Sequence, residues 1–515
     1  METQIGSISL KKDDGKTLTL VAVLDSIAQT SGPTLFSVSD GSGTLVLKGF
    51  DGPGVRAYPK LQEEDVIQAT IKVKEFQNAL EGEIWKVSVV EGPAAEAARK
   101  KIAETERKRA EVVPKPFLVK SQLLDKLQPL FIKAATEIRL AVIKNRPIIV
   151  RHHNDADGYS AGFVIERAIL PLIIQQHGGG KAPWEYFTRS PSMAPFYEIE
   201  DSIKDTANSL RDVAKFSNKM PLVVIVDTGS GEESLLGIKQ GRIHGADFIV
   251  VDHHVFEHDV TTPECLVHIN PFVVGEDGAK FSAGMLCTEL ARFVNPVVKN
   301  EYVAALSGLA DRIDNPPILD AYIAIAEKQG CAKKILFDLA ALIDFVSTKL
   351  RFMEAREYIE TVFGEPLEKQ KNLVALMAPY IRKLEEKGVA IAQSAVVREK
   401  IGATTLQLLD IETTFSRNAY PKPGKCVGML HDAAQEKDHL NNLISIGVLT
   451  DAITIRATDE SKFSIHTLLA HIQKSVPQAF AEGGGHHRAG ALKFVPSKRA
   501  EVLQAVRECI KKGQK

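Results

Sequence analysis

PIIVRHHNDADG (147–158), PLVVIVDTGSG (221–231) and DFIVVDHHVF (247–256) share one design. Each opens on a short run rich in Val and Ile and closes on aspartate or histidine. Helical patterns separate the three runs, and that alternation predicts a parallel, doubly wound α/β sheet. Sheets of this kind bind ligands beyond the carboxyl ends of their strands. Asp155 and Asp157, then Asp227, then Asp252, His253 and His254 are therefore expected along one edge. A fourth segment, AALSGLADRIDNPP (304–317), is a small-residue helix pattern carrying Asp311 and Asp314.

Taken singly, these residues have bland readings. An aspartate after a strand commonly caps a helix, NDADG is good turn chemistry, and a lone His253 would fit a core. Together they are harder to explain away. Six of the fourteen histidines form three HH pairs, two of them beside the strand-end aspartates. Hydrolysis of a phosphodiester requires neutralised non-bridging oxygens and a hydroxide at neutral pH. Two divalent ions about 3.5–4 Å apart supply both. Carboxylates mixed with imidazoles suit manganese or a similar first-row ion.

Outward from this centre the chain changes character several times. Residues 1–93 read as five short strands, Thr17–Leu24, Thr34–Val38, Thr44–Leu47, Asp65–Val73 and Glu83–Val90, separated by turn signals such as SDGSG (39–43). A small β-barrel is expected, with Phe36, Phe50, Tyr58, Phe76 and Trp85 divided between its core and its surface. Residues 94–130 are Ala-rich and charged and read as an exposed linker helix ending near Pro114 and Pro116. Residues 131–320 form the α/β domain, 321–395 a helical insertion, and 396–515 a second, smaller α/β domain. The fold class is thus α/β with an N-terminal barrel.

The bulk composition narrows the function. A chain of 515 residues with 25% charged and 44% hydrophobic residues is long enough for several folded domains. The formal net charge of −1 advertises no global field for nucleic acid, so basic residues would have to be concentrated in a groove. The five cysteines, Cys265, Cys287, Cys331, Cys426 and Cys509, are scattered and form no CxxC pair. That pattern argues against a disulfide framework or thiolate zinc, and a reducing cytoplasm is expected. The sequence has no run of about 18 uncharged apolar residues, so no membrane span is expected.

Several motifs resemble those of the DHH phosphoesterases: VDHH (251–254), HNDADGYSAG (153–162), IVDTGS (225–230) and SGLADRID (307–314). GGGHHRAGAL (483–492) resembles the glycine-rich motif of the DHH-associated C-terminal domain, and ITIRATDE places Arg456 where that domain carries a phosphate-binding arginine. The N-terminal barrel pattern resembles an OB-fold, and OB-folds often bind single strands. The combination is similar to the archaeal RecJ-like single-strand nucleases.

This resemblance implies that Asp155, Asp157, Asp227, His253 and Asp311 are ligands of two ions, Mn²⁺ by preference with Mg²⁺ or Co²⁺ as substitutes, and that Asp157 or Asp227 bridges. It implies catalytic roles for Asp252, which orients a neighbouring histidine, and for His254 and His486. It places His153, Arg456 and Gly483, Gly484, Gly485 and His486 against substrate. The implied activity is exonucleolytic hydrolysis of single-stranded DNA or RNA, in repair or replication. Oligonucleotide or cyclic-dinucleotide hydrolysis is one alternative. The other is a replisome scaffold docked on GINS or another replication protein. A dead scaffold loses motif aspartates, and this chain keeps them. Two departures stand out. Arg151 occupies a position where several branches have histidine, and His153 stands where RecJ-type relatives often have aspartate. Asp314 is the alternative to Asp311.

Overall fold

The structure, a computed structural model, describes residues 2–76, 79–192, 194–216, 219–350, 355–416 and 419–513. After a short helix α1 (Leu10–Asp13), strands β1 (Thr17–Gln29), β2 (Thr34–Ser39), β3 (Thr44–Gly49), β4 (Val66–Phe76) and β5 (Ala79–Val89) close a barrel of order β1-β2-β3-β5-β4. Alternation along β1–β4 turns Leu20, Ala22, Leu24, Phe36, Val38, Leu47 and Ile71 inward. The aromatics divide. Phe36 lies in the core with Tyr58 packed on it edge-on, ring centroids 6.2 Å apart. Phe50, Phe76 and Trp85 stay 67, 51 and 65% exposed. Trp85 is the extra residue of a bulge in the β4–β5 pairing, since Thr70 pairs with Lys86 and Ile71 with Ile84. A bulge re-aims a side chain off the ladder.

Helix α2 (Gly92–Ala110) follows and lays Ile102 and Ala110 against its neighbours. The chain then runs without helix to α3 (Gln122–Ile143). The expected boundary between linker and α/β domain at 130/131 falls inside α3. This helix buries Leu123, Leu124, Leu127, Phe131 and Ile138 in the central core. Its apolar stripe needs the domain it was expected to precede.

The central sheet holds β6 (Ile148–His152), β7 (Phe187–Pro191), β8 (Leu222–Val226), β9 (Asp247–Val251) and β10 (Val267–Ile269), all parallel, in the order β10-β9-β8-β6-β7. Every residue of β8, LVVIV, is buried, as befits a strand covered on both faces. The covering helices are α4 (Ala156–His177), the single turn α5 (Ala182–Glu185), α6 (Ile199–Phe216), α7 (Glu232–Ile243), α8 (Ala283–Val294) and α9 (Tyr302–Ala310). From β6 the chain moves one way to β7 and then the other way to β8, so the direction of winding reverses between β6 and β8. Such a switch point opens a crevice at the carboxyl ends of those two strands.

Helices α10 (Pro316–Lys328), α11 (Lys333–Leu350), α12 (Arg356–Val362) and α13 (Leu367–Ala395) come next. The expected start of this insertion, 320/321, lies inside α10. The insertion also has no core of its own: Leu336, Leu342, Ile359 and Ile381 belong to the same apolar cluster as the sheet. Phe163 of α4 stacks on Phe363 at 4.2 Å between centroids, a contact worth about 0.5–1.5 kcal/mol beyond area burial.

The C-terminal domain is a mixed six-stranded sheet, order β11-β12-β13-β14-β16-β15. Its strands are β11 (Val397–Ile401), β12 (Thr404–Asp410), β13 (Leu443–Val448), β14 (Ala452–Ala457), β15 (Glu482–His486) and β16 (Ala489–Lys493). Around them lie α14 (Ile411–Thr414), α15 (Pro423–Asp438), α16 (Ile465–Ser475) and α17 (Arg499–Lys512). This domain has a core of its own. It is pinned to the central domain by Arg312–Asp432 at 2.8 Å and Lys493–Glu198 at 2.7 Å, and by Lys422, which donates to Asn154 O and Ser347 Oγ.

The barrel docks elsewhere. Asp25 accepts from Asn145 (3.2 Å) and pairs with Lys219 (3.4 Å), residues that precede β6 and β8. It therefore meets the amino edge of the parallel sheet, opposite the crevice. Among the described residues no helix is long and apolar enough to cross a membrane.

Candidate metal centre

The carboxyl ends of β6, β8 and β9 deliver the expected side chains to one place. Asp155 caps α4, accepting from Gly158 N at 2.9 Å. In the first turn of the same helix, Asp157 accepts from Ala283 N (2.9 Å) and Gly284 N (2.8 Å) at the amino end of α8, and from Ser307 Oγ of α9. Those bonds fix its carboxylate and favour its charge. Asp227 directly follows β8 with φ +58, a left-handed conformation that Asp and Asn enter more readily than most residues. Asp252 follows β9 and accepts four bonds: Ser230 N at 3.0 Å, His253 N at 2.8 Å, His254 N at 3.2 Å and His254 Nδ1 at 2.7 Å. The last bond fixes the His254 tautomer and makes Nε2 the lone-pair nitrogen. His253 turns its Nδ1 toward Gly278 O at 3.4 Å.

Three acid–histidine groups result, each with its donor atoms within 4.8 Å of one another: His153, Asp155 and Asp227; Asp227, His253 and His254; and Asp157, His253 and Asp311. His153 Nδ1 is 2.8 Å from Asp155 and 3.5 Å from Asp227. His253 Nε2 is 3.8, 3.5 and 3.6 Å from the carboxylates of Asp157, Asp227 and Asp311. Asp227 thus belongs to two groups and reaches the third through His253. Its Oδ2 is buried without a hydrogen-bond partner among the described residues. Mixed oxygen and imidazole donors converging around an unsatisfied buried oxygen fit divalent first-row ions.

The electrostatics agree. Burial, with Asp227 and Asp311 beside it, holds the Asp157 carboxyl well above the usual range. Burial pushes Asp311 up to about 6 against the pull of His253. Burial would also raise Asp155 and Asp252, but His153 and His254 respectively hold them well below that range. Carboxylates crowded this closely resist sharing negative charge unless a cation sits among them.

The structure gives the positions of the other expected residues. His153, expected against substrate, stands with Asp155 and Asp227. Asp314 is exposed and outside all three groups, so Asp311 is the residue at the centre. Arg151 is buried in ion pairs with Asp205 (2.5 Å) and Asp201 (3.3 Å) and belongs to none of the three groups. His152 is buried between Tyr159 and Arg189, behind the centre.

A cleft of about 1150 Å³ separates this edge from the C-terminal sheet, with His153, Asp155, Asp227, His254 and Asp311 on one wall and Arg456 and Gly483–Gly485 on the other. GGGH lies in an edge strand, β15. A Cβ on Gly483 would lie 2.2 Å from Ala491 O and one on Gly485 2.5 Å from Ala489 O, and both residues have positive φ. Only glycine lets this strand pair so closely. Arg456 and His486 both pair with Ala489, so the two lie in one row across the sheet. The His486 side chain lies outside the described residues. Arg456 Nη1 donates to Ile455 O at 3.1 Å, and among the described residues no carboxylate pairs with its guanidinium.

Sequence reading missed Ser307, which shares a face of α9 with Asp311 at i, i+4, and Arg312, which reaches across to Asp432. It also missed Gly278 and Glu233. Only the i, i+4 spacing could have been seen in advance.

No protein-family model matches the chain. An uncharacterized protein of Methanocaldococcus jannaschii is 33% identical over 514 aligned residues, 94% of this chain and 67% of its own length. Among solved structures, the DHH domain of a member of the S1p family of ribosomal proteins is similar with a TM-score of 0.76 and 33% identity, covering 82% of this chain and 99% of that one. RecJ of Thermus thermophilus in complex with Mn²⁺ is similar in fold, with a TM-score of 0.53 at 15% identity over 81% of this chain and 59% of that one. The chain belongs to the DHH superfamily. Within it, its fold is RecJ-like.

Proposed function

We propose that the protein is a metal-dependent phosphoesterase that hydrolyses single-stranded nucleic acid. One observation carries this reading: three acid–histidine groups are linked through Asp227 and His253, each a member of two of them, at the switch point, and Arg456, with no carboxylate partner among the described residues, faces them across a cleft. Divalent ions held by His153, Asp155, Asp157, Asp227, His253 and Asp311 would neutralise the phosphoryl oxygens and acidify an attacking water. The chain's own residues do the rest. The α8 amides and Ser307 hold Asp157 rigid, and Asp252 presents the lone pair of His254 Nε2 to the cleft, where it would ligate an ion or accept a proton. Arg456 clamps a phosphate from the opposite side. End-labelled single-stranded DNA and RNA, offered with manganese and again after chelation and removal of metal, test the reading. Cleavage is expected with metal alone, and full activity in the stripped protein would sink it.

The barrel supports a polymeric substrate. The parallel register of β3 and β5 ends at Lys48 with Glu83, and two positions further along stand Phe50, just past the end of β3, and Trp85 of β5. Lys48 caps the ring of Phe76 at 3.8 Å. Exposed aromatics interleaved with lysine form a stacking platform for bases, at about 1–3 kcal/mol per base. The Phe50→Ala, Trp85→Ala double variant is expected to weaken binding of a thirty-nucleotide strand by tenfold or more while cleaving a trinucleotide at the normal rate. Equal losses on both substrates would make the platform structural.

A further inference from the structure

The wall opposite the metal centre changes character along β15. One row across the sheet holds Arg456, Ala489 and His486. Two residues along, about 7 Å at the rise of a strand, the next same-facing row holds Thr454, Ala491 and Gly484. Facing that second row is Glu233, in the first turn of α7. A Cβ on Gly484 would stand 3.0 Å from Glu233 Oε1, and one on Gly231, the residue that caps α7, would stand 2.3 Å from the same oxygen. The carboxylate is therefore folded back over the amino end of its own helix, whose cap residue offers no side chain, and it reaches the glycine strand across the cleft. Helix amino ends beside close-approaching backbone are places that take anions. Here the protein's own anion fills the place.

The surroundings sharpen the contrast. Glu482, two residues from Gly484 on β15, lines this cleft with Glu257, Leu236 and Leu469, and Arg456 and Arg312 line it as well. Burial raises the Glu233 carboxyl against the pull of its own helix amide, and nearby Asp252 raises it further. A second anion would add to that cost. A sugar hydroxyl would not, because it can donate to the carboxylate.

We propose that Glu233 is a specificity-determining residue that selects the end of the strand: it occupies the place the next phosphate would take beyond the one held by Arg456, and so admits a strand whose terminal sugar there carries a free hydroxyl. The proposal rests on the nuclease reading and adds to it the chemistry of the accepted terminus.

Four thymidine trinucleotides test it, carrying a hydroxyl or a phosphate at the 5′ end and likewise at the 3′ end, with the manganese-loaded full chain. At one end a terminal phosphate is expected to lower kcat/KM at least tenfold. Glu233→Gln should shrink that penalty below threefold, and Glu233→Asp, which keeps the charge, should retain it. Indifference of the wild type at both ends, or a penalty that survives in Glu233→Gln, overturns the proposal. Cleavage of none of the four would defeat the nuclease reading instead. Calorimetric titration of the same manganese-loaded protein with inorganic phosphate then decides about Glu233: binding at least fivefold tighter in Glu233→Gln supports the proposal, and equal affinity overturns it.

Discussion

Asp227→Asn is expected to lower kcat for strand cleavage by at least about 10³-fold, the scale of losing one member of a catalytic unit, and to remove at least one bound ion per chain. Asn is the informative substitution. Asp227 has φ +58, which Asn tolerates and Ala does not, so alanine would add backbone strain to the loss of charge. The large effect follows from position. Asp227 belongs to two of the three acid–histidine groups and stands 3.5 Å from the His253 imidazole that completes the third. A carboxylate there can hold two ions at once, whereas Asp157 already accepts three bonds from α8 and α9. Because the residues act as a unit, adding His253→Ala should make matters little worse. A near-normal rate with unchanged metal content in Asp227→Asn would refute the proposed centre.

Arg456→Ala is expected to reduce kcat/KM by roughly ten- to a hundred-and-fifty-fold, the equivalent of about 1.5–3 kcal/mol for a lost charge-assisted bond, with metal stoichiometry intact. No acidic partner among the described residues holds the guanidinium, so its charge is left for substrate. Arg456→Lys should fall between, because lysine keeps the charge and loses the planar fork. Kinetics and metal analysis on one preparation separate the outcomes. Wild-type kcat/KM would remove Arg456 from the substrate path, and loss of metal would assign it to the centre.

The parts legible in the sequence were those governed by short-range pattern. The runs at 148–152, 222–226 and 247–251 are strands because their β-branched residues pack on both faces, and the residues that follow must then emerge at one edge. The short edge strands β7 and β10 escaped notice: FTRSP and VHI have too few apolar residues to announce themselves, and neighbouring strands fix them. The boundaries expected at 130/131 and 320/321 fall inside helices. Helices α3 and α10 look detachable along the chain, but their apolar stripes find partners distant in sequence. His153, which the resemblance sets against substrate, has its Nδ1 beside two aspartates only because the fold brings β6 and β8 together. Glu233 carried no local signal at all, because its significance lies in Gly484, some 250 positions away.

If the substrate is the proposed single strand, the docking of the barrel against the amino edge of the parallel sheet, at Asn145 and Lys219, sets how the molecule gauges its length. Aromatic platform and cleft lie on opposite ends of the central domain, so one strand engages both only by passing round the flank. The substrate then acts as its own tether. Below the length that spans the flank, the two sites contribute independently; above it, the second contact becomes intramolecular and apparent affinity steps upward. On the proposed single-strand reading, discrimination between fragment and polymer would be built into the distance between two surfaces and would ask nothing of the chemistry at either one.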